Sequence, residues 1–157
     1  MISTPTTRFF RVNILLILSI FFINISCESE PERIDLTSKD FLRLKTILEN
    51  GYWAWDNNYC KENPQTIAID IDKKTMTLIL KNLTKVRNEN KDTFVYNIRW
   101  AWKNGFRGKI IGEKGLDING EPVEWDLFVV DDNRFYWRRN DWRKNSGSKT
   151  IIKCSVN

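Results

Sequence analysis

From residue 66 onward the side chains alternate between apolar and polar, and turn signals cut the alternation into short runs. A period of two places alternate residues on opposite faces, so each run reads as a strand with one buried face. Ile67, Ile69 and Ile71 share one face of the first run, and Asp72-Lys73-Lys74 turns the chain. Met76, Leu78 and Leu80 share a face of the second run, which completes a hairpin. A polar, charged connection over 84–92 follows. In Thr93 to Trp102 the residues Phe94, Tyr96, Ile98, Trp100 and Trp102 fall on one face, and Asn104-Gly105 turns. Phe106 to Gly112 is a further strand, and Asn119-Gly120 is a strong hairpin signal. In Pro122 to Val130, Val123, Trp125, Leu127 and Val129 lie opposite Glu124 and Asp126. After a turn at 131–133, Phe135, Trp137 and Arg139 share a face, and 150–155 closes the series. With Tyr52–Trp55 this makes about eight short strands joined mostly by short turns. Such a series suggests an antiparallel sandwich or an up-and-down barrel, in which closure removes the unpaired edges.

Before residue 51 the period is different. Residues 38–50 carry apolar side chains at 41, 42, 44, 47 and 48, which is helical spacing. Ser38 is a suitable N-cap, and Gly51 can take the left-handed position past the end. One short amphipathic helix is expected ahead of the strands.

The chain has 157 residues and no histidine. Mechanisms that need imidazole as base, nucleophile partner or metal ligand are excluded, so a Ser–His–Asp or Cys–His arrangement is impossible. The carboxylates Asp70, Asp72, Glu121, Glu124, Asp126, Asp131 and Asp132 fall in turns or on polar strand faces and fit no spaced metal-binding loop. They read as solvated surface. No enzyme, cofactor or metal site is expected. Of 25 Lys and Arg, Arg8 and Arg11 precede Cys27; set against 20 acids, the remainder carries a net charge of +3. The only local basic cluster is within 134–144, so a nucleic-acid partner is not expected.

The first 26 residues have the parts of an export signal. Arg8 and Arg11 stand in a polar start without acids, residues 12–26 (VNILLILSIFFINIS) are largely apolar, and Glu-Ser-Glu-Pro-Glu follows Cys27. The segment around Cys27 resembles the lipobox of bacterial lipoproteins, whose cysteine becomes the acylated first residue. Ile25 and Ser26 suit the positions before it, while Asn24 stands where an aliphatic residue is usual. The alternative is a plain signal or an uncleaved anchor with Cys27 incidental. The division expected is 1–26 signal peptide, 27–37 flexible tether and 38–157 folded domain, exported and anchored to a bacterial membrane on the periplasmic or outer surface. With Cys27 assigned to lipid, Cys60 and Cys154 remain, and in an exported chain such a pair reads as a disulfide, the alternative being two buried thiols.

A short helix, then Gly51-Tyr52-Trp53, then about eight meander strands with a terminal disulfide resembles the lipocalin-like (calycin) barrels. In that family G-x-W opens the first strand, and the Trp packs at the closed end against an Arg or Lys from near the last strand. The resemblance therefore implies a single antiparallel up-and-down β-barrel, Gly51 and Trp53 as its structural motif, and Arg138, Arg139 or Arg143 as the cation. It further implies a small apolar or amphipathic ligand inside the barrel and no catalysis. The inward rings expected at such a site are Phe94, Tyr96, Trp100, Trp102, Trp125 and Trp137; the alternative is that they fill a core. A second function also fits: a protein-binding periplasmic lipoprotein, such as an inhibitor of a cell-wall hydrolase, acting through one exposed loop. The stretch 134–143 interleaves Arg with rings and reads either as a contact for an anionic partner or as a strand whose Arg side chains stack on Trp.

Overall fold

The computed structural model describes residues 30–80 and 93–155. Cys27, the export segment and the 84–92 connection lie outside the described residues. Eight strands among the described residues pair antiparallel in chain order and close into a barrel. They are β1 Trp53–Ala54, β2 Gln65–Asp70, β3 Thr75–Leu80, β4 Thr93–Trp102, β5 Gly105–Ile110, β6 Trp125–Asp131, β7 Arg134–Arg139 and β8 Ile151–Lys153. Pairing of Trp53 with Lys153 and of Ala54 with Ile152 joins the ends. Of the two architectures that alternation allows, the chain adopts the barrel.

Helix α1 (Lys39–Glu49) precedes β1 and covers one end. Ser38 caps it by accepting from the Phe41 amide at 3.3 Å. Phe41, Leu44 and Leu48 are buried, at the spacing of one helical face, whereas Leu42 is exposed. Each fully buried side chain of this size contributes roughly 1.5–3 kcal/mol as an upper figure. The helix also covers an edge. Among the described residues β2 meets β1 only at Gln65–Trp53, so the amides farther along β2 have no strand partner there on that side. Glu49 Oε1 accepts from the Ile69 amide at 2.6 Å and satisfies one of them.

Gly51 and Trp53 lock this end. The Trp53 indole Nε1 donates to the Leu48 carbonyl at 2.8 Å, so the last turn of α1 is satisfied by the side chain that closes the barrel. Gly51 has φ +128°, and a Cβ there would stand 2.8 Å from Lys153 Cε. Lys153 Nζ lies 5.9 Å from the Trp53 ring centroid. The cation on Trp53 is therefore Lys153 of β8, and the expectation of Arg138, Arg139 or Arg143 is corrected. Those positions follow or end β7, whereas Lys153 is Trp53's register partner across the closing seam.

A second helix, α2 (Asn57–Glu62), lies in the β1–β2 connection and was not expected. Asp56 caps it through the amides of Asn58 and Tyr59. Its Cys60 bonds Cys154 just past β8, with a Cα separation of 5.5 Å.

The largest departure from simple alternation is in β4. The register with β5 shifts between Ile98 and Trp100, where a bulge inserts one residue. Beyond it the faces exchange. Ala101 is buried within the core, and Trp100 and Trp102 stand on the other face. The expectation that Trp100 and Trp102 share a face with Tyr96 is corrected. Gly105 accommodates the crossing, since a Cβ there would fall 2.0 Å from the Leu127 carbonyl and 2.7 Å from the Trp102 ring.

Candidate functional site

Of the six rings expected inside the barrel, the structure brings Tyr96 and Trp137 together. They are stacked 4.8 Å apart at 15°. Trp137 meets Phe106 and Phe135 edge-on, and Phe135 meets Trp53 the same way at 5.0 Å. A chain of ring contacts thus crosses the interior from β1 through β7 to β4. All of these rings are buried. Phe94 and Trp125 are half-buried against the core.

The barrel end opposite α1 is more polar. Trp125 Nε1 donates to Glu113 at 3.3 Å. Burial, and secondarily the nearby Glu113 charge, push the Tyr96 phenol well above its ordinary range. Arg139 pairs with Asp141 at 2.9 Å and lies 6.0 Å from the Trp125 ring. Gln65 is buried with the parity of Ile67 and Ile69, and its Nε2 has no hydrogen-bond partner among the described residues.

The loop 111–124 joins β5 to β6 at this end, and it is held firmly. Asp117 accepts from the amides of Asn119 and Glu121 and from Asn140 Nδ2 at 3.1 Å. Asn140 in turn accepts from the Glu124 amide at 3.1 Å. Val123 is buried beneath the loop. On this pinned frame three large apolar side chains face solvent: Ile118 at 82% exposure, Leu116 at 61% and Ile111 at 60%. Single exposed aliphatics are ordinary, but three within residues 111–118 of a structured loop form a surface suited to a partner. Sequence reasoning passed over Leu116 and Ile118 because they fall between strands and follow no period, and it put Ile111 in the strand Phe106 to Gly112, whereas β5 ends at Ile110.

The outer wall of β4–β7 carries a feature that alternation concealed. Asp126 is only 1% exposed although it faces away from the core. Arg107 grips it through Nε at 2.6 Å and Nη2 at 3.0 Å, and Arg138 Nη2 reaches it at 3.0 Å. Arg138 also lies 4.7 Å from the Phe128 ring, which stacks on Tyr136 at 5.1 Å. The expectation of a solvated carboxylate at Asp126 is corrected: register sets Arg107 and Arg138 on either side of it, and their planar groups cover it. In the stretch 134–143, Arg134 pairs with Asp131, and Arg139 lies over Trp125.

No family model, curated protein or solved structure matches this chain. The fold is compatible with the calycin-like barrels in its strand number, order and closing helix.

Proposed function

We propose that the chain is a non-catalytic binding module of the bacterial envelope, held to a membrane by lipid on Cys27, that engages a protein partner through the loop 111–124. The observation that carries this reading is the combination of a ring-packed interior with three exposed aliphatics on a rigid loop. Rings in mutual contact across a narrow barrel leave little lumen for a ligand. A pinned loop loses little entropy on docking, so its apolar surface contributes more fully to affinity. The lack of histidine and the structural use of Asp56, Asp117, Asp126 and Asp131 favour a module without catalysis. A cell-wall hydrolase is one partner of suitable location.

A second reading, a small apolar or amphipathic ligand inside the barrel, is favoured by the buried Gln65, whose Nε2 has no hydrogen-bond partner among the described residues. In-cell photo-crosslinking separates the two. A photoreactive side chain at position 118 is expected to trap a single protein adduct, and one at Ile79, on the outer wall of β3, is expected to trap none. Equal yields at both positions contradict the partner-binding loop.

A further inference from the structure

Little chain separates Cys27 from the barrel. Arg33 lies 4.7 Å from the Trp100 ring. The Ile34 amide donates to Ala101 O at 2.9 Å, as an isolated bridge to β4. Ile34 and Leu36 pack against the core, and the Ser38 cap of α1 follows at once. The segment ahead of these contacts, 27–32, spans at most about 20 Å. It joins the barrel at the α1 end. Lys103 and Asn104, which follow β4, line a crevice with Asp40, Arg43 and Leu44 of α1. β5 leads away from that turn, so the loop 111–124 stands at the other end. At the usual barrel tilt, the ten residues of β4 rise about 25 Å along the axis. The exposed aliphatics of the loop therefore stay within about 50 Å of a membrane that holds Cys27.

We infer that the partner of this loop is a second protein anchored to the same membrane, and that the docked segment from Arg33 to Leu36 holds the loop in the layer where that partner lies. The inference rests on the tether and the loop proposed above. Two observations carry it. The first is reach: a partner farther from the bilayer than the loop extends cannot engage it. The second is area. Ile111, Leu116 and Ile118 together expose on the order of 400 Å², against about 800 Å² buried per partner in a stable interface. Docking through so small a surface is weak. A short tether that confines both proteins to one layer raises their effective concentration without any new contact. A partner free in solution gains nothing from such a tether.

The test uses the full chain in its own host, with the photoreactive side chain at position 118. About twenty Gly and Ser residues inserted between Ser29 and Glu30 give the tether a long flexible stretch. The insertion lies ahead of every contact named above, so the unfolding midpoint is expected to stay the same. Effective concentration falls with roughly the −3/2 power of tether length, so the crosslinking yield is expected to fall at least about threefold. The trapped protein, identified by mass spectrometry, is expected in the membrane fraction of cells that lack this chain. An unchanged or higher yield overturns the inference. So does a trapped protein that is soluble in those cells, or one that is a second copy of this chain. The absence of any adduct with either tether refutes the loop itself. A chain that leaves the membrane fraction on gentle lysis refutes the tether. A membrane-bound chain that crosslinks equally with both tethers refutes only the shared membrane.

Discussion

At the scale of single residues, placement depends on what each side chain touches and only partly on the strand period. Asp126 is the clearest case. Its neighbours Trp125 and Leu127 read correctly as facing the core, and from alternation alone Asp126 reads as wet. Its burial follows from which strands flank β6, because only pairing brings Arg107 and Arg138 onto it. Asp126→Ala is expected to lower stability by about 2–4 kcal/mol, since it strands two guanidinium groups; their partial exposure keeps the figure below that of a fully buried pair. Urea denaturation measures it, and a loss within experimental error contradicts the network's structural role. Tyr96 gives a pH signature. Burial raises its phenol above the ordinary value of 10.0, so the unfolded chain loses this proton first as pH rises. Its contribution is intact below pH 10 and declines above it, by at most about 1.4 kcal/mol per pH unit. Tyr96→Phe is expected to remove that part of the alkaline slope in denaturation curves. An unchanged slope contradicts the buried phenol. The inward placement of Tyr96 and Trp137 was legible from alternation, but their stacking and the exclusion of Trp100 and Trp102 were not. One inserted residue among the closely spaced large apolar side chains 96, 98, 100 and 102 changes no composition and leaves a pattern that still looks regular.

At the scale of elements, α1 was legible because three buried apolar side chains repeat on one face behind a serine cap. The strands were legible because their turns carry Asp, Asn and Gly where the backbone needs them. α2 was missed for a physical reason. Its six residues bury no side chain completely, so no apolar period marks it, and its only local signal is the Asp56 cap. The Asn119-Gly120 turn formed without long flanking strands, since Leu116 and Pro122 meet only as an isolated bridge. The Cys60–Cys154 bond joins two weak elements, α2 and the three-residue β8, across a sequence separation of 94. Closing a loop of that length is worth about 4–5 kcal/mol in the chain-entropy model. Reduction is expected to lower the unfolding midpoint markedly and to loosen β1 and β8 first, which hydrogen exchange of their amides can follow. Uniform loosening of all eight strands contradicts the view that this seam is the weak place.

At the scale of the whole molecule, strand number and the disulfide were legible from period, turns and cysteine count, whereas a barrel rather than a sandwich was indicated only by the resemblance to the calycin barrels. The use of the barrel was less legible. The same six rings fit a cavity or a core, and the ring contacts favour the core reading. Four of the six face inward, and Tyr96 and Trp137 belong to a continuous chain of ring contacts. The reading proposed above puts recognition on the outside, at the loop 111–124, with the barrel as its rigid mount. With the photoreactive side chain moved to position 116, Ile118→Asp is expected to abolish partner crosslinking and to change stability by less than about 0.5 kcal/mol, as an exposed substitution should. Native mass spectrometry of the protein purified from its own host tests the claim most directly. The account predicts the mass of the chain with its covalent anchor and nothing further bound; a stoichiometric, non-covalent, lipid-sized adduct that survives purification would contradict it.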